Sequence, residues 1–384
     1  MAPRIVLGAW PRRVGRAPVR VRSLWRHRAR AVVAGVFATA AVACGGSTEN
    51  VDAGSSAAPT SEAESTGVAE PAGVGESQSS QRVTGAAKSS LIKVGTGPCC
   101  LVARDDGIWV MNLRDATIQH VDPRTNEPDE PMSVFPYEKM IGAGDNILLE
   151  EPGGGVALFD PATSKVGRRI PVAGGMRGMA FDATSETLWV GSAKDGTLIH
   201  IDANSGRVLD TFTVQGLPDG GDIIPTSNNE LWVVPFSGEI LKVDLAQQRV
   251  VTRLQPFATD AAVSLASAGG HLWATSIQRP TLLRIDPSTG KIDQRGDIDA
   301  AGAAFPWLFA APDGTLWVAA APDRIQELDP ETGDILKTYD IPLADDADVD
   351  TYYNVGGITT GFGSVWTAIF DDLSADDALV RLER

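Results

Sequence analysis

The hydrophobic positions of this chain repeat as short apolar triplets separated by segments of mixed polarity. Each triplet has a tryptophan, or in one case a leucine, at its centre. The triplets are Ile108-Trp109-Val110, Ile147-Leu148-Leu149, Leu188-Trp189-Val190, Leu231-Trp232-Val233, Leu272-Trp273-Ala274, Leu316-Trp317-Val318 and Val365-Trp366-Thr367, with central residues 39 to 49 positions apart. Self-similarity at such a period is the sequence signature of a repeat architecture. The sequence therefore predicts seven repeated units.

Each unit divides into four short strands separated by turn residues. The third unit shows this most clearly, with strands predicted at residues 178–182, 187–192, 197–202 and 207–214. In the strand that holds the triplet both faces are apolar, as expected for a strand covered on two sides by neighbouring blades. The third strand has one polar position, which indicates that the blade widens towards solvent there: His120, His200, Lys242, Arg284, Glu327 and Arg381. We predict an all-β, seven-bladed β-propeller over residues 89–384.

The seventh unit shows three strands, the last of them at residues 379–384, and it needs a fourth. The apolar run at residues 90–95 is available for this position. We expect the ring to close by pairing of these two segments, because closure removes the open strand edges that a sheet-rich protein must otherwise protect. Between strands, Asp-Pro pairs and glycines predict turns, and the aspartate side chain is expected to cap its own turn.

The first 43 residues differ in composition from the rest of the chain. They contain nine arginines and no acidic residue, and they end in the apolar run 31–43. This run is too short to span a bilayer as a helix, which takes about 20 residues. A basic segment, a short apolar segment and small residues are the parts of a signal peptide. We predict a signal peptide at residues 1–43, and the export route stays open between the general and the twin-arginine pathways.

The stretch Ala41-Val42-Ala43-Cys44 resembles the lipobox of bacterial lipoproteins, although that family usually has leucine where Ala41 stands. The resemblance implies that Cys44 is acylated and anchors the protein to the cell membrane on its extracytoplasmic face. Residues 44–88 consist mainly of Ser, Gly, Ala, Thr and Glu. We predict a disordered linker there, because such a segment cannot bury enough apolar surface to offset its ordering entropy.

Charge and cysteine content limit the partners. Removal of the leader takes away nine arginines and no acid, so the formal net charge falls from −16 to about −25. A strongly acidic surface repels nucleic acids and anionic lipid headgroups. Three cysteines are too few for a disulfide framework. We expect a monomer that binds no nucleic acid, contacts the membrane through its lipid anchor, and has an envelope protein or a small molecule as its partner.

The fullest copy of the repeat, residues 281–291, combines a Thr-Leu-x-x-Ile-Asp-Pro strand with a Thr-Gly-Lys turn. Together with the apolar triplets, this pattern resembles the YVTN and streptogramin (virginiamycin B) lyase-like propellers. Enzymes of the lyase group use a histidine base beside a Mg²⁺ site on the top face. Here we predict His120 and His200 in third strands and His271 in a turn between first and second strands, so none is expected on a top-face loop.

Candidate ligand-binding residues come from the loops that lead into the first strand of each unit, since propellers bind ligands on the face that carries them. This inner rim offers aromatic and charged groups: Cys99, Cys100, Tyr137, Glu138, Lys139, Arg177, Asp219, Asp222, Asp260, Pro306, Trp307, Tyr352, Tyr353 and Asn354. Among them we select Arg177, Asp222, Asp260, Trp307, Tyr352, Tyr353 and Asn354 as the binding set. Ordinary solvated loop residues are the alternative.

The seventh unit has an acidic insertion at residues 343–350, and further aspartates follow in its second-to-third-strand loop. Packed carboxylates repel one another unless a cation or a basic partner sits among them. One interpretation is therefore a ligand site, which is either a docking patch for a basic ligand beside Tyr352 and Tyr353 or a weak Ca²⁺ or Mg²⁺ site formed by Asp346, Asp348, Asp350, Asp371 and Asp372. The other interpretation is a solvated acidic loop with no cofactor, because the spacing lacks the closing glutamate of an EF-hand.

Adjacent thiols at Cys99 and Cys100 are unusual in an exported domain. They could close an eight-membered vicinal disulfide or pair with another chain, or they could be two small apolar residues that begin an inner strand. No catalytic Ser/His/Asp order, phosphate-binding glycine loop or zinc-type spacing is present. The sequence favours a binding or scaffold module at the cell envelope over an enzyme, and a streptogramin-lyase-like carbon-oxygen lyase is the alternative.

Overall fold

The strand pattern of the sequence is realised as seven sheets in the part of the chain that the structure describes. A computed structural model describes residues 88–384, except 173–174, 193–195, 218–220, 228–229, 236–237, 258–262, 277–278, 299–305, 322, 343–352 and 372–376. Among the described residues there are strands and turns but no helix. Accordingly, no described helix has the length and apolar character needed to cross a membrane. The predicted signal peptide and most of the predicted linker lie outside the described residues.

Each sheet is one blade. In blades 1 to 6 the strands follow one another in chain order from the innermost strand outward, and in blade 7 the first strand of the chain takes the outermost position. Blade 1 contains β2 Pro98–Arg104, β3 Gly107–Asn112, β4 Thr117–Asp122, β5 Glu127–Pro128 and β6 Met132–Ser133. Blade 2 contains β7 Lys139–Ala143, β8 Asn146–Glu150, β9 Gly155–Asp160 and β10 Lys165–Pro171. Blade 3 contains β11 Met176–Asp182, β12 Thr187–Ser192, β13 Thr197–Asp202 and β14 Val208–Thr213. In blade 1 the outer strand is divided, because β5 and β6 both pair with β4.

The other four blades have the same plan. Blades 4 to 7 contain β15 Gly221–Ser227, β16 Glu230–Pro235, β17 Ile240–Asp244 and β18 Arg249–Leu254; β19 Val263–Ala268, β20 His271–Ser276, β21 Arg279–Ile285 and β22 Ile292–Asp297; β23 Leu308–Ala310, β24 Leu316–Ala321, β25 Arg324–Leu328 and β26 Ile335–Asp340; and β27 Tyr353–Gly361, β28 Ser364–Asp371, β29 Ala378–Glu383 and β1 Ser89–Lys93. Each innermost strand contacts that of the next blade, and β27 contacts β2, so the blades form a closed ring.

The predicted closure of the ring is confirmed. Strand β1 pairs antiparallel with β29, with Ser89 opposite Leu382 and Lys93 opposite Ala378. Ile92 is 4% exposed and packs between the first and last blades, whereas its neighbour Leu91 is 54% exposed. Main-chain pairing and burial of one apolar face therefore join the two ends of the domain.

The second strands are buried on both faces, as their sequence predicts. Every residue of β3 and β12 is buried. The apolar clusters lie between blades: Trp232 of blade 4 packs with Leu265 and Leu283 of blade 5. Gly333, in a turn of blade 6, has a φ of +82°, and a Cβ there would lie 2.6 Å from the ring of Trp273 in blade 5. A glycine at this turn lets it close over the tryptophan of the preceding blade.

The polar side chain of the third strand has a role that the sequence does not predict, as a contact of the triplet tryptophan. Its side chain lies opposite the triplet tryptophan across the strand pair, and Trp189 and His200 stack at 4.1 Å with nearly parallel rings. The expectation that the blade opens to solvent here is wrong for Lys242, which is 5% exposed and lies 6.0 Å from the ring centre of Trp232. Its Nζ donates to the carbonyl oxygen of Ser288 in the next blade at 2.9 Å, so this residue links two blades.

Aspartates cap the turns between third and fourth strands, as predicted. The carboxylate of Asp286 accepts hydrogen bonds from the backbone N–H groups of Ser288 and Thr289 at 2.8 and 3.0 Å. Equivalent caps occur at Asp160, Asp202, Asp244 and Asp329. Because these bonds favour the ionised form, they lower the pKa of each carboxyl.

Candidate functional site

The innermost strands all begin at the same end of the ring, because each follows the outer strand of the preceding blade in an antiparallel arrangement. Their first residues therefore surround one opening of the central channel. The described side chains that meet there are Cys100, Lys139, Glu150 and Asp222, and we call this group the channel mouth. Glu150 ends β8 and lies opposite Lys139 in the β7–β8 hairpin.

An ion pair crosses the channel mouth between two blades that are not neighbours. Lys139 Nζ in blade 2 lies 3.3 Å from Asp222 Oδ1 in blade 4, and the two side chains are 38% and 48% exposed. The intervening blade 3 presents Gly178 on its innermost strand, where a Cβ would collide with the carbonyl oxygen of Gly221. This glycine lets the innermost strands of blades 3 and 4 approach closely. The charge of Asp222 raises the pKa of Lys139.

The cysteine pair adjoins this ion pair. The Cys99 thiol donates to the Cys100 sulfur, with the two sulfur atoms 2.7 Å apart, and both residues are free thiols. Hydrogen bonding from Cys99 lowers the pKa of Cys100, and the Met140 backbone N–H and the Lys139 charge act in the same direction. Burial raises the pKa of Cys99. The two thiols thus differ in acidity and in exposure.

Backbone bulges occur at this end of three innermost strands. In β2 the pairing shifts at Cys99, in β11 it shifts at Arg177 and Gly178, and in β27 it shifts at Gly356. Bulges interrupt strand pairing locally and change the direction in which side chains point, and they are common beside active and binding sites. They give the channel mouth an irregular backbone in blades 1, 3 and 7.

Several predicted rim residues lie in strands rather than in loops. Cys99 and Cys100 belong to β2, Arg177 to β11, Asp222 to β15, and Tyr353 and Asn354 begin β27. In β2, β11 and β27 a bulge separates the first paired residues from the regular pairing that follows, and β15 pairs regularly from Gly221 to Pro225. For Arg177, Tyr353 and Asn354 the structure describes the backbone position only. Of the predicted binding set, Asp222 is therefore the residue whose side chain the structure describes at the channel mouth, paired with Lys139.

Two aromatic candidates pack in or against apolar clusters between blades, and the ligand-binding role of Trp307 stays a prediction. Tyr137 is 3% exposed and packs in the cluster between blades 1 and 2, so it is not the rim residue predicted. Trp307 directly precedes β23 and packs partly buried against the cluster between blades 6 and 7, and its carbonyl oxygen accepts a hydrogen bond from Ala319 N–H at 2.9 Å. In both cases apolar ring area is buried between blades, as the hydrophobic effect favours.

The remaining candidates lie outside the described residues: Cys44, Asp219, Asp260, Asp346, Asp348, Asp350, Tyr352 and Asp372. Asp371 is the last residue of β28, and the structure describes its backbone only. In the described part of the chain, no group of three or more His, Cys, Asp or Glu side chains is arranged to hold a metal ion. The Ca²⁺ or Mg²⁺ site stays a prediction.

The described histidines lie away from the channel mouth. His120 and His200 are in third strands, as predicted. His120 Nε2 donates to the Asp106 carbonyl oxygen at 3.0 Å, and His120 Nδ1 lies 2.9 Å from Asp129 Oδ2. His271 is the first residue of β20, next to the turn where it was expected, at the end of the blade opposite the mouth. These side chains support blade packing.

The sequence alone did not identify Glu150 as a site residue and did not predict that Lys139 pairs with Asp222. Glu150 could have been found from the hairpin register, because it lies directly opposite Lys139 once β7 and β8 are paired. The Lys139–Asp222 pair has no local signal, since it depends on how blades 2 and 4 are arranged around the ring.

Fold and site define a closed seven-bladed β-propeller with a charged, thiol-containing opening at one end. Residues 72–295 match the family described as outer membrane protein assembly factor BamB, and the chain belongs to this family. The match supports the propeller implied by the resemblance to YVTN and streptogramin-lyase-like proteins, but it does not extend to their activity. No curated protein matches the chain in sequence.

Proposed function

We propose that the protein is an envelope-anchored, extracytoplasmic β-propeller lipoprotein that acts as a binding or scaffold module and contacts a protein partner at its channel mouth. The observation that carries this proposal is the Lys139–Asp222 pair, which brings two half-exposed charges from separate blades to one opening. Charged groups arranged in this way provide orientation and specificity in recognition more than affinity. The family description, an assembly factor of outer membrane proteins, supports a protein partner in the envelope.

The partner contact is tested by charge reversal. In envelopes treated with a chemical cross-linker, the full chain should recover one discrete partner, and Asp222→Lys should lose it, because this change places two cations together at the mouth. Asp145→Lys is the matched control, since Asp145 is exposed in the turn at the other end of β7. Loss of the partner with both variants, or with neither, would contradict a contact at the mouth.

The proposed lipid anchor is inferred from the lipobox-like sequence that ends at Cys44. The wild-type chain is expected in the membrane fraction, and Cys44→Ala is expected in the soluble extracytoplasmic fraction, because one acyl-bearing cysteine is the proposed attachment. Cys99→Ala serves as the control, since it removes a cysteine without touching the anchor. Membrane retention of Cys44→Ala would show that another feature holds the protein there.

The alternative is a streptogramin-lyase-like carbon-oxygen lyase. Such an enzyme needs a base beside its substrate, and His120 and His200 are instead placed against Trp109 and Trp189 inside blades. A depsipeptide ring-opening assay, with and without Mg²⁺, separates the two functions. Ring opening that the purified protein catalyses would favour the lyase, and thermal stabilisation by an envelope protein without ring opening would favour the binding module.

A further inference from the structure

The cysteine pair is placed by a bulge in the innermost strand of blade 1. Pro98 pairs with Asn112 and Cys100 pairs with Met111, so Cys99 has no partner across the strand pair. In a regular strand, successive side chains point to opposite faces of the sheet, which would keep the two sulfur atoms apart. The bulge changes this direction and brings them to 2.7 Å.

The neighbouring blade is shaped to accept this geometry. Strand β27 of blade 7 has its own bulge at Gly356, opposite the pair. A Cβ at Gly356 would lie 2.7 Å from the Cys99 Cα, and one at Gly357 would lie 2.7 Å from the Cys99 carbonyl oxygen. The two bulged strands therefore pack closely because both positions are glycine. If Cys99 and Cys100 were only two small apolar residues at a strand start, neither the bulge in β2 nor the two glycines of β27 would be required.

The two thiols are in different environments. Cys99 is 8% exposed and packs with Trp109 and Met140 in the cluster between blades 1 and 2. Cys100 is partly exposed and lies near the Lys139 ammonium group and the Met140 N–H, both of which stabilise a thiolate. Cys100 is thus the more exposed and the more acidic of the two residues, and the Cys99 sulfur lies within reach of the Cys100 sulfur.

We propose that Cys99 and Cys100 form a thiol–disulfide exchange site that reacts with small disulfides entering the channel mouth. This activity goes beyond the proposed binding role. The Cys100 thiolate attacks one sulfur of the small disulfide, its S–S bond breaks, and one thiolate leaves. The Cys99 sulfur then attacks Cys100 in the mixed disulfide and displaces the second thiolate. The two released thiolates take up two protons, one for each proton that the cysteine thiols lose, and two electrons pass from the cysteine pair to the small disulfide.

The size of a disulfide compound determines how readily it reaches the cysteine pair. Cys100 lies on β2 near Lys139, whose ammonium group is paired with Asp222, so we expect a compact disulfide to reach it more readily than a folded protein does. The product is a vicinal disulfide, an eight-membered ring that a small thiol can reopen by the reverse sequence. The site would therefore report the thiol–disulfide balance of its compartment.

The test uses the reduced full chain and 2-hydroxyethyl disulfide, an uncharged small disulfide. Peptide mapping by mass spectrometry should show the peptide containing Cys99 and Cys100 losing about 2 mass units, with two equivalents of thiol released per chain. Cys99→Ser should accumulate a mixed disulfide on Cys100, because the resolving sulfur is absent. Cys100→Ser should react at least about tenfold more slowly, because the remaining thiol is buried and mostly protonated.

Three results would overturn the proposal. The first is a wild-type peptide that retains both free thiols or stops at the mixed disulfide. The second is equal reaction rates for Cys99→Ser and Cys100→Ser. The third is a disulfide-linked dimer on a non-reducing gel, which would assign the pair to a contact between chains. The wild-type measurement stands without either variant, so a folding defect in one of them leaves the test decisive.

Discussion

Lys139 of the second blade and Asp222 of the fourth form an ion pair of 3.3 Å across the blade between them. Both side chains are more than one third exposed, and exposed pairs contribute at most about 1 kcal/mol to the free energy of unfolding. The main effect of the Lys139–Asp222 pair is therefore to fix the position of two charges at the channel mouth. We predict a coupling energy below about 1 kcal/mol in a double-mutant cycle of Lys139→Met and Asp222→Asn, measured by urea unfolding.

A coupling energy several-fold larger would contradict this view and make the pair a structural link of the ring. Lys165→Met is the control for loss of a lysine charge, because Lys165 is exposed at the start of β10, far from the mouth.

Closure by β1 gives a second prediction with a control in the adjacent position. Ile92→Ala should reduce the free energy of unfolding by about 2–5 kcal/mol, because it leaves a cavity between the first and last blades. Leu91→Ala removes the same kind of side chain from an exposed position and should change the free energy of unfolding by less than about 0.5 kcal/mol. Denaturant unfolding measures both. Equal effects of the two changes would argue against the pairing.

A third prediction concerns Arg381, which joins the last blade to the first. Its guanidinium lies 5.1 Å from the ring centre of Trp366 and donates to Asn126 Oδ1 at 2.9 Å, and it also donates to the Pro123 carbonyl. Arg381→Ala should destabilise the domain by about 1.5–3 kcal/mol, since charge-assisted hydrogen bonds and ring contact are lost together. An Arg381→Lys variant should recover part of this loss, and a wild-type melting temperature for Arg381→Ala would refute the link.

The turn-capping aspartates give a prediction for pH. Hydrogen bonds lower the pKa of Asp286 to about 2, with Ser288 as the main donor, and Arg124 lowers the pKa of Asp122 to about 2. An unfolded aspartate has a pKa of about 3.9, so these groups add stability above that pH and lose their contribution as the pH falls towards 2. Thermal melting at pH 7, 4, 3 and 2 should show the steepest loss between about pH 4 and 2.

The Asp286→Asn variant separates this effect from general acid unfolding. Its stability deficit relative to wild type should be full at pH 7 and should shrink towards pH 2, where the wild-type carboxyl is also becoming protonated. A deficit that stays constant over this range would mean that the ionisation of Asp286 does not stabilise the turn.

The architecture could be predicted from the sequence because its signals are local and repeated. The triplets around Trp109 and Trp317 mark strands buried on both faces, and the Asp-Pro pair at Asp286 marks a turn that the carboxylate caps. Even the closing strand was predictable, because the last unit lacked one strand and the run around Ile92 could supply it.

The channel mouth could be predicted only in part. Nothing in the local sequence reveals the bulge at Cys99, so the sequence leaves the cysteines between a rim loop and the start of an inner strand, and the structure places them in β2. The partner of Lys139 depends on the spatial order of the blades, and the burial of Trp307 depends on the gap between two of them. Such relations arise from tertiary packing, which neither strand propensity nor periodicity encodes.

The most direct test of the central claim, a protein contact at the channel mouth, is site-specific photo-cross-linking in intact envelopes. Glu138 and Asp145 are both exposed and lie just outside the two ends of β7. A photoreactive phenylalanine analogue at position 138 should form one discrete adduct with an envelope protein, and the same analogue at position 145 should form none. Adducts from position 145 alone, the same adduct from both positions, or none from position 138 would contradict the account.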